Sequence, residues 1–202
     1  MTNNFPFIGV VLNGGRSERM GADKANLAIG EKTLLELTIS RLRKASASSI
    51  FIVGKETVGL LDAEVNRVND IWPGEGPLGG ILTALQFIGE SEVPVMILAC
   101  DFPNLDVTEI RSLVEHAYAN PDSIVVPLVK GRKQWMHACW PTTVEEHLKQ
   151  SFVRGERAPH RAIEGLRVVV VERSTVEAYM DIDTPEEFEE AKRSFKEQDE
   201  KK

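Results

Sequence analysis

The sequence predicts an α/β fold built on a mostly parallel sheet. Two observations carry that reading. Short apolar runs of strand length recur along the chain, and those through VVL, FIV and VVVV are near-continuous rather than alternating, as strands covered on both faces are. Between them lie stretches whose apolar residues return at helical spacing. Strands alternating with helices favour crossover units and a parallel sheet.

In chain order, Phe7 to Leu12 form the first strand, followed by the stretch GVVLNGGRSERMGADK over 9–24. Leu35, Ile39, Leu42 and Ala45 mark a helix, and Ile50 to Val53 a second strand. A run with four glycines and a proline, 74–80, leads into a helix marked by Leu78, Ile81, Leu82 and Leu85. Val95 to Ala99 read as a strand; Ile110, Leu113, Val114 and Ala117 read as a helix, with Asp106 and Glu109 spaced as an N-cap and its partner. Ile124 to Pro127 and Leu166 to Val171 are further strands. A final helix starts at Thr184, with Pro185 at its first position and Glu187 placed to close a capping box. The segment 128–160 is less regular, and Trp135 to Trp140 suit an edge strand or a small antiparallel insertion.

The chain has 202 residues, 42% of them apolar, enough for one domain spanning 1–202, with about 1–6 and 195–202 expected to fray. A net charge of -7 argues against a general nucleic-acid surface, but leaves room for a local cationic pocket. No apolar run reaches membrane-spanning length and no signal peptide is evident. Only two cysteines, Cys100 and Cys139, occur, which fits a reducing cytoplasm.

The 9–24 stretch turns from apolar strand to a loop holding glycines, Arg16, Arg19 and Lys24. Glycines after a strand let backbone N–H groups approach phosphate closely, and the cations could fold over a triphosphate. A surface loop with basic residues is the alternative. The P-loop pattern does not match, because five residues separate Gly15 from Gly21 and Ala22 follows; the G-x-G-x-x-G fingerprint is absent.

A triphosphate wants a cation, and magnesium takes oxygen ligands, usually one or two carboxylates plus phosphate oxygens. Asp101 follows the strand VMILA, at the carboxyl end where open α/β sheets bind ligands. It could instead cap a turn before Pro103. Asp181 and Asp183, two apart in an extended segment, share a face and would tolerate a cation between them. The cap of the last helix could equally explain them. His137 lacks partners at metal-ligand spacing and reads as a packed residue. Trp135 and Trp140 could line a pocket for a flat ring, or cover the sheet's edge, which is the preferred expectation.

The pattern V-L-N-G-G-R-S-x-R-M-G-x-D-K resembles the N-terminal signature of the GT-A-like nucleotidyltransferases. Within them it is most similar to the molybdenum cofactor guanylyltransferases, which read L-A-G-G-x-S-x-R-M-G-x-D-K. The resemblance runs from about Gly9 to Ala191. It implies a three-layer α/β/α architecture with a Rossmann-like sheet. It implies that Leu12, Asn13, Gly14 and Gly15 hold the nucleotide, with Asn13 where alanine is usual. Lys24, Arg19 and Arg16 would hold the phosphates, and Asp101 the nucleotide's Mg2+. The segment D-I-W-P-G-E-G-P-L-G-G resembles the family's second nucleotide segment, which puts Asp70 at the nucleotide and Gly79 where alanine is usual. DIDTPEE stands where the guanylyltransferases carry N-x-N-T-P-E-E and related enzymes carry aspartates, so Asp181 and Asp183 face the acceptor or assist the metal. Arg157, in a G-E-R segment, falls on the acceptor side. The donor implied is GTP and the acceptor molybdopterin, with other molybdenum cofactor biosynthesis or acceptor proteins as further partners, and neither nucleic acid nor membrane. Transfer of CMP to molybdopterin, or of a nucleotide to a sugar phosphate or phospholactate, is the alternative; a nucleotide-binding adaptor without turnover is a third reading.

Overall fold

The computed structural model describes residues 5–14, 24–55, 64–173 and 175–199. In chain order the elements are β1 (Ile8–Asn13), β2 (Ala28–Ile29), β3 (Lys32–Thr33), α1 (Leu34–Lys44), β4 (Ser49–Gly54), β5 (Val65–Asn69), α2 (Pro77–Ile88) and β6 (Val95–Ala99). They continue with α3 (Val107–Ala119), β7 (Ile124–Val129), β8 (Arg132–Lys133), β9 (His137–Trp140), α4 (Glu145–Val153), α5 (Pro159–Ala162), β10 (Val168–Arg173) and α6 (Pro185–Asp199). The strands of the main sheet lie in the order β10-β7-β9-β6-β1-β4-β5, with β8 paired to β7. β1 pairs in parallel with β4 and β6, β4 with β5, and β7 with β10. β8 and β9 run antiparallel to their neighbours.

Strand alternation sends side chains to two faces, and each face meets helices. Val11, Ile50, Ile52 and Leu98 pack with Leu35, Leu42, Ile110 and Leu113 of α1 and α3. Val10, Leu12, Ile97 and Trp140 pack with Leu78, Leu82, Leu148 and Phe152 of α2 and α4. The result is the three-layer α/β/α architecture with a mostly parallel sheet. A third cluster seats Phe188 and Ala191 of α6 on Ile29, Leu34 and Leu37.

Several elements differ from the sequence expectation. Residues 137–140 form an antiparallel strand inserted between β6 and β7, which is the second of the two readings of 135–140 and not the edge; Trp140 is fully buried and covers no edge. The outer strand β5, VNRVN, is too short and polar to stand out by pattern. α4 fills the irregular 128–160 segment together with the β7–β8 hairpin. Asp106 caps α3 by accepting from Thr108 N (3.0 Å), but Glu109 does not close a box. Its carboxylate is drawn to Arg173 Nε (2.8 Å) and the Tyr179 hydroxyl (3.1 Å). The box at the last helix does form: Glu187 Oε2 accepts from Asp183 N and Thr184 N, both at 2.8 Å. Among the described residues no helix is long and apolar enough to cross a membrane.

Placing β9 inside the sheet buries His137 completely, against Phe102 with ring centroids 3.8 Å apart. Burial lowers its pKa to about 3, against a weaker opposite pull from the Ala99 carbonyl. The imidazole is therefore neutral in the fold and protonates in the unfolded chain below its ordinary pKa of about 6.5. Between those two values the unfolded state binds the extra proton, so stability falls as pH drops. From pH 6.5 to 5 this group costs about 2 kcal/mol. Urea unfolding at both pH values should show that loss in the native sequence and a correspondingly smaller one in His137→Leu.

Candidate active site

β9, β6 and β1 are neighbours, and their ends meet on the carboxyl edge of the sheet. β1 ends there in Leu12, Asn13 and Gly14. β6 ends in Ala99 and continues into Cys100 and Asp101. Because β9 is reversed, its N-terminal approach, Gln134 to Met136, reaches the same edge, where Ala99 N donates to the Met136 carbonyl (3.0 Å). A cavity of about 430 Å³ opens along this lip, and all three strand ends line it. Neighbouring strands lie about 4.8 Å apart, so Asp101 on the middle strand stands between a glycine wall and a Trp135 wall about 10 Å apart.

Asp101 is half-buried, and its carbonyl accepts from Ile182 N (3.0 Å). That bond docks the 181–183 segment on the lip and brings the exposed Asp181 into the cavity lining. Asp183 is not part of that lining; its backbone N–H belongs to the Glu187 box. Two carboxylates facing one cavity offer oxygen ligands only. Among the described residues no three His, Cys, Asp or Glu side chains cluster as a metal cage. This donor set fits a hard divalent cation that completes its shell with water and phosphate.

On the glycine wall, Asn13 is buried, with its Nδ2 donating to the Lys55 carbonyl (3.3 Å) and its carbonyl accepting from Lys55 N (3.2 Å). Gly54, opposite Asn13 in the ladder, has φ +141°, and a Cβ there would lie 2.2 Å from the Asn13 carbonyl oxygen. Asp70 is fixed by Trp72 N and the Thr83 hydroxyl, both donating to Oδ1 at 3.0 Å. Its Oδ2 lies 3.6 Å from where a Cβ on Gly14 would sit, so this carboxylate borders the glycine loop. Gly79 lies against Trp72, whose Cβ would be 3.2 Å and carbonyl oxygen 3.3 Å from an added methyl. Pro77, at the first position of α2, also lines the cavity.

The chain returns to the lip at Ala25, within the 3₁₀ turn Lys24–Asn26. Gly15, Arg16, Arg19 and the side chain of Lys24 lie outside the described residues. Arg157 is not in the lining. Its Nε meets Glu75 Oε2 at 2.6 Å, its Nη1 donates to the Phe152 and Glu156 carbonyls (both 2.9 Å), and its carbonyl accepts from Leu78 N (3.3 Å). It thus braces the second glycine segment against α4.

Sequence reasoning overlooked Lys133 and Met136, which line the cavity with Trp135. They reach the edge through Lys130-Gly131, both with positive φ, a two-residue hairpin turn that folds the chain back; Lys-Gly is not among the dipeptides that announce such a turn, and only Gly131 hinted at it.

Residues 9–174, from β1 through β10, match the MobA-like NTP transferase domain. The chain belongs to that family. It is 30% identical to the molybdenum cofactor guanylyltransferase of Rhizobium johnstonii over 92% of this chain and 91% of that one. It is 28% identical to that of Sinorhizobium fredii over 90% and 88%. The crystal structure of molybdopterin-guanine dinucleotide biosynthesis protein A from Archaeoglobus fulgidus superposes with a TM-score of 0.76, over 95% of this chain and all of that one. At 20% identity this speaks for the fold.

The Gly54 contact yields a test. Gly54→Ala should lose about 3 kcal/mol or more in urea unfolding, since the methyl meets backbone on a neighbouring strand that cannot step aside.

Proposed function

We propose that this member of the MobA-like NTP transferase family transfers GMP from GTP to molybdopterin and releases pyrophosphate. The observation that carries the reading is the position of Asp101, on the middle strand of the lip between two differently built walls. The glycine wall, with Leu12, Asn13, Gly14 and Asp70, takes the nucleotide, and the sequence adds Gly15 next in the chain. The opposite wall offers the flat ring of Trp135 and the ammonium of Lys133, 5.6 Å from that ring's centroid, suited to a heterocycle bearing a phosphate.

In the reaction a phosphate oxygen of the acceptor attacks the α-phosphorus of GTP. The bond from that phosphorus to the β-phosphate's bridging oxygen breaks, and pyrophosphate carries away the electron pair. Asp101, with Asp181 beside the same cavity, would hold Mg2+, which neutralises charge on the α-phosphate. Lys24, Arg19 and Arg16 stabilise the departing pyrophosphate, and the two walls hold donor and acceptor in line. Catalysis of this kind is positioning and charge stabilisation, with no nucleophilic side chain required. The two buried cysteines, Cys100 and Cys139, form no disulfide and fit a cytoplasmic place of work.

Pyrophosphate release from purified protein with Mg2+, molybdopterin and either GTP or CTP is the direct test; release with GTP and not with CTP is expected. Asp101→Ala should abolish release while the protein stays folded, and near-normal turnover at limiting Mg2+ would reject its role. Lys24→Ala should weaken GTP binding by about 1.5–3 kcal/mol in calorimetry, the usual worth of a hydrogen bond to a charged group.

A further inference from the structure

The loop between β6 and α3 carries Asp101, and its backbone is tied from two sides. From one side Ile182 N donates to the Asp101 carbonyl (3.0 Å). From the other, Arg41 of α1 reaches across the chain. Its Nη1 donates to the Phe102 carbonyl (3.3 Å) and its Nη2 to the Pro103 carbonyl. Three consecutive carbonyls, of residues 101, 102 and 103, are thereby fixed by groups that lie outside the loop. Within the loop Leu105 N donates to the Phe102 carbonyl (3.3 Å), and Pro103 has no N–H to contribute. The ring of Phe102 is wedged on His137.

We propose that Arg41 is a positioning residue for the Asp101 carboxylate, a guanidinium latch that holds the metal-binding loop in register with the glycine wall. The inference rests on the reading of Asp101 as the Mg2+ ligand. A forked, planar donor suits the task, because two carbonyls on successive residues can be held at once and in one plane. A lysine could serve one of them. Arg41 is half-buried, and desolvation lowers its pKa to about 10, with Asp106 pulling the other way, so it stays charged at neutral pH. It sits on α1, whose capped start and apolar face are fixed independently by the Thr33–Glu36 box and by Leu35, Ile39 and Leu42. The latch is therefore anchored on a rigid element. Arg41 lines a different cavity, with Lys44, Asn104 and Asp106, and is not in the lining that holds Asp101 and Asp181, so it acts through the loop rather than on substrate.

Arg41→Lys and Arg41→Ala test this, with Mn2+ as the probe and a GTP analogue carrying a methylene between the α- and β-phosphorus, which cannot be cleaved. Electron paramagnetic resonance of free Mn2+ reads metal binding without turnover. The Mn2+ dissociation constant in the presence of analogue should rise about tenfold or more in Arg41→Ala and less in Arg41→Lys, as for other residues that orient a metal ligand. Analogue affinity without metal should stay near that of the native protein, which a general loss of structure would not allow. Amide exchange should rise in the peptide spanning 100–107 and not in β1. If Arg41→Ala does not fold, the lysine variant carries the test. Unchanged Mn2+ affinity in a folded variant, or metal-free analogue binding weakened in parallel, would overturn the latch. Native protein that binds Mn2+ and analogue yet releases no pyrophosphate with molybdopterin would remove the acceptor reading and leave the latch standing. Native protein that binds no Mn2+ would overturn both.

Discussion

The antiparallel pairing of β9 with β6 is the constraint on which the site depends. In an all-parallel sheet each strand brings only its carboxyl end to the ligand edge. Reversing β9 brings its amino-terminal approach there instead, with Leu98 opposite His137 and the Met136 carbonyl bonded to Ala99 N. Lys133, Trp135 and Met136 then face the strand that carries Asp101. The insertion has a cost. Among the described residues Trp140 Nε1 is buried without a hydrogen-bond partner, and such a group costs roughly 1–3 kcal/mol. His137 must stay neutral. Trp140 offsets part of this by filling the core between α2 and the sheet, with no exposed surface left.

Much of the sheet could be read from the sequence because strands buried on both faces leave apolar runs. β1, β4, β6 and β7 were read within a residue or two, and β10 with a shift toward the carboxyl end. β9 shows where that signal stops. HACW announces burial, yet burial does not say which strands lie alongside, and a reversed strand flanked by two others looks the same in one dimension as a buried edge. β5 fails for the opposite reason, since its outer position lets Asn66, Arg67 and Asn69 be polar. Glu109 shows a local rule losing to a tertiary one: spacing favoured a cap, and Arg173, distant in sequence, claimed the carboxylate.

The site was legible where chemistry is concentrated on strand ends. Leu12, Asn13, Gly14, Asp101 and Asp181 all reach one cavity, and Asp70 borders Gly14. What spacing could not show is how a residue's bonding capacity is spent. Arg157 looks like a free cation in the sequence, but its guanidinium is shared among Glu75, two carbonyls and the face of Phe152. Arg41 has no motif around it, and only folding brings it to the carbonyls after Asp101.

Four positions depart from the guanylyltransferase pattern that the sequence resembles, Asn13, Gly79, Asp181 and Asp183, and the structure sorts them. At Asn13 the amide is held by Lys55, and because a carbonyl can only accept, Nδ2 must face it; the side chain is used to join β1 to the end of β4. At Gly79 the missing methyl makes room for Trp72, whose backbone lies too close for alanine without adjustment. Both departures are matched by a neighbour outside the signature, so they are accounted for by packing. Asp181 is different, because it faces the cavity with Asp101. Exchanging a neutral amide for a carboxylate there adds a negative charge beside another, and two carboxylates in one cavity repel unless a cation lies between or beside them. The lip must then draw more strongly on cations than one with asparagine at this position. Asp183 carries the same exchange but lies outside that lining, so of the four departures Asp181 is the one that alters the electrostatics a triphosphate would meet in the cavity.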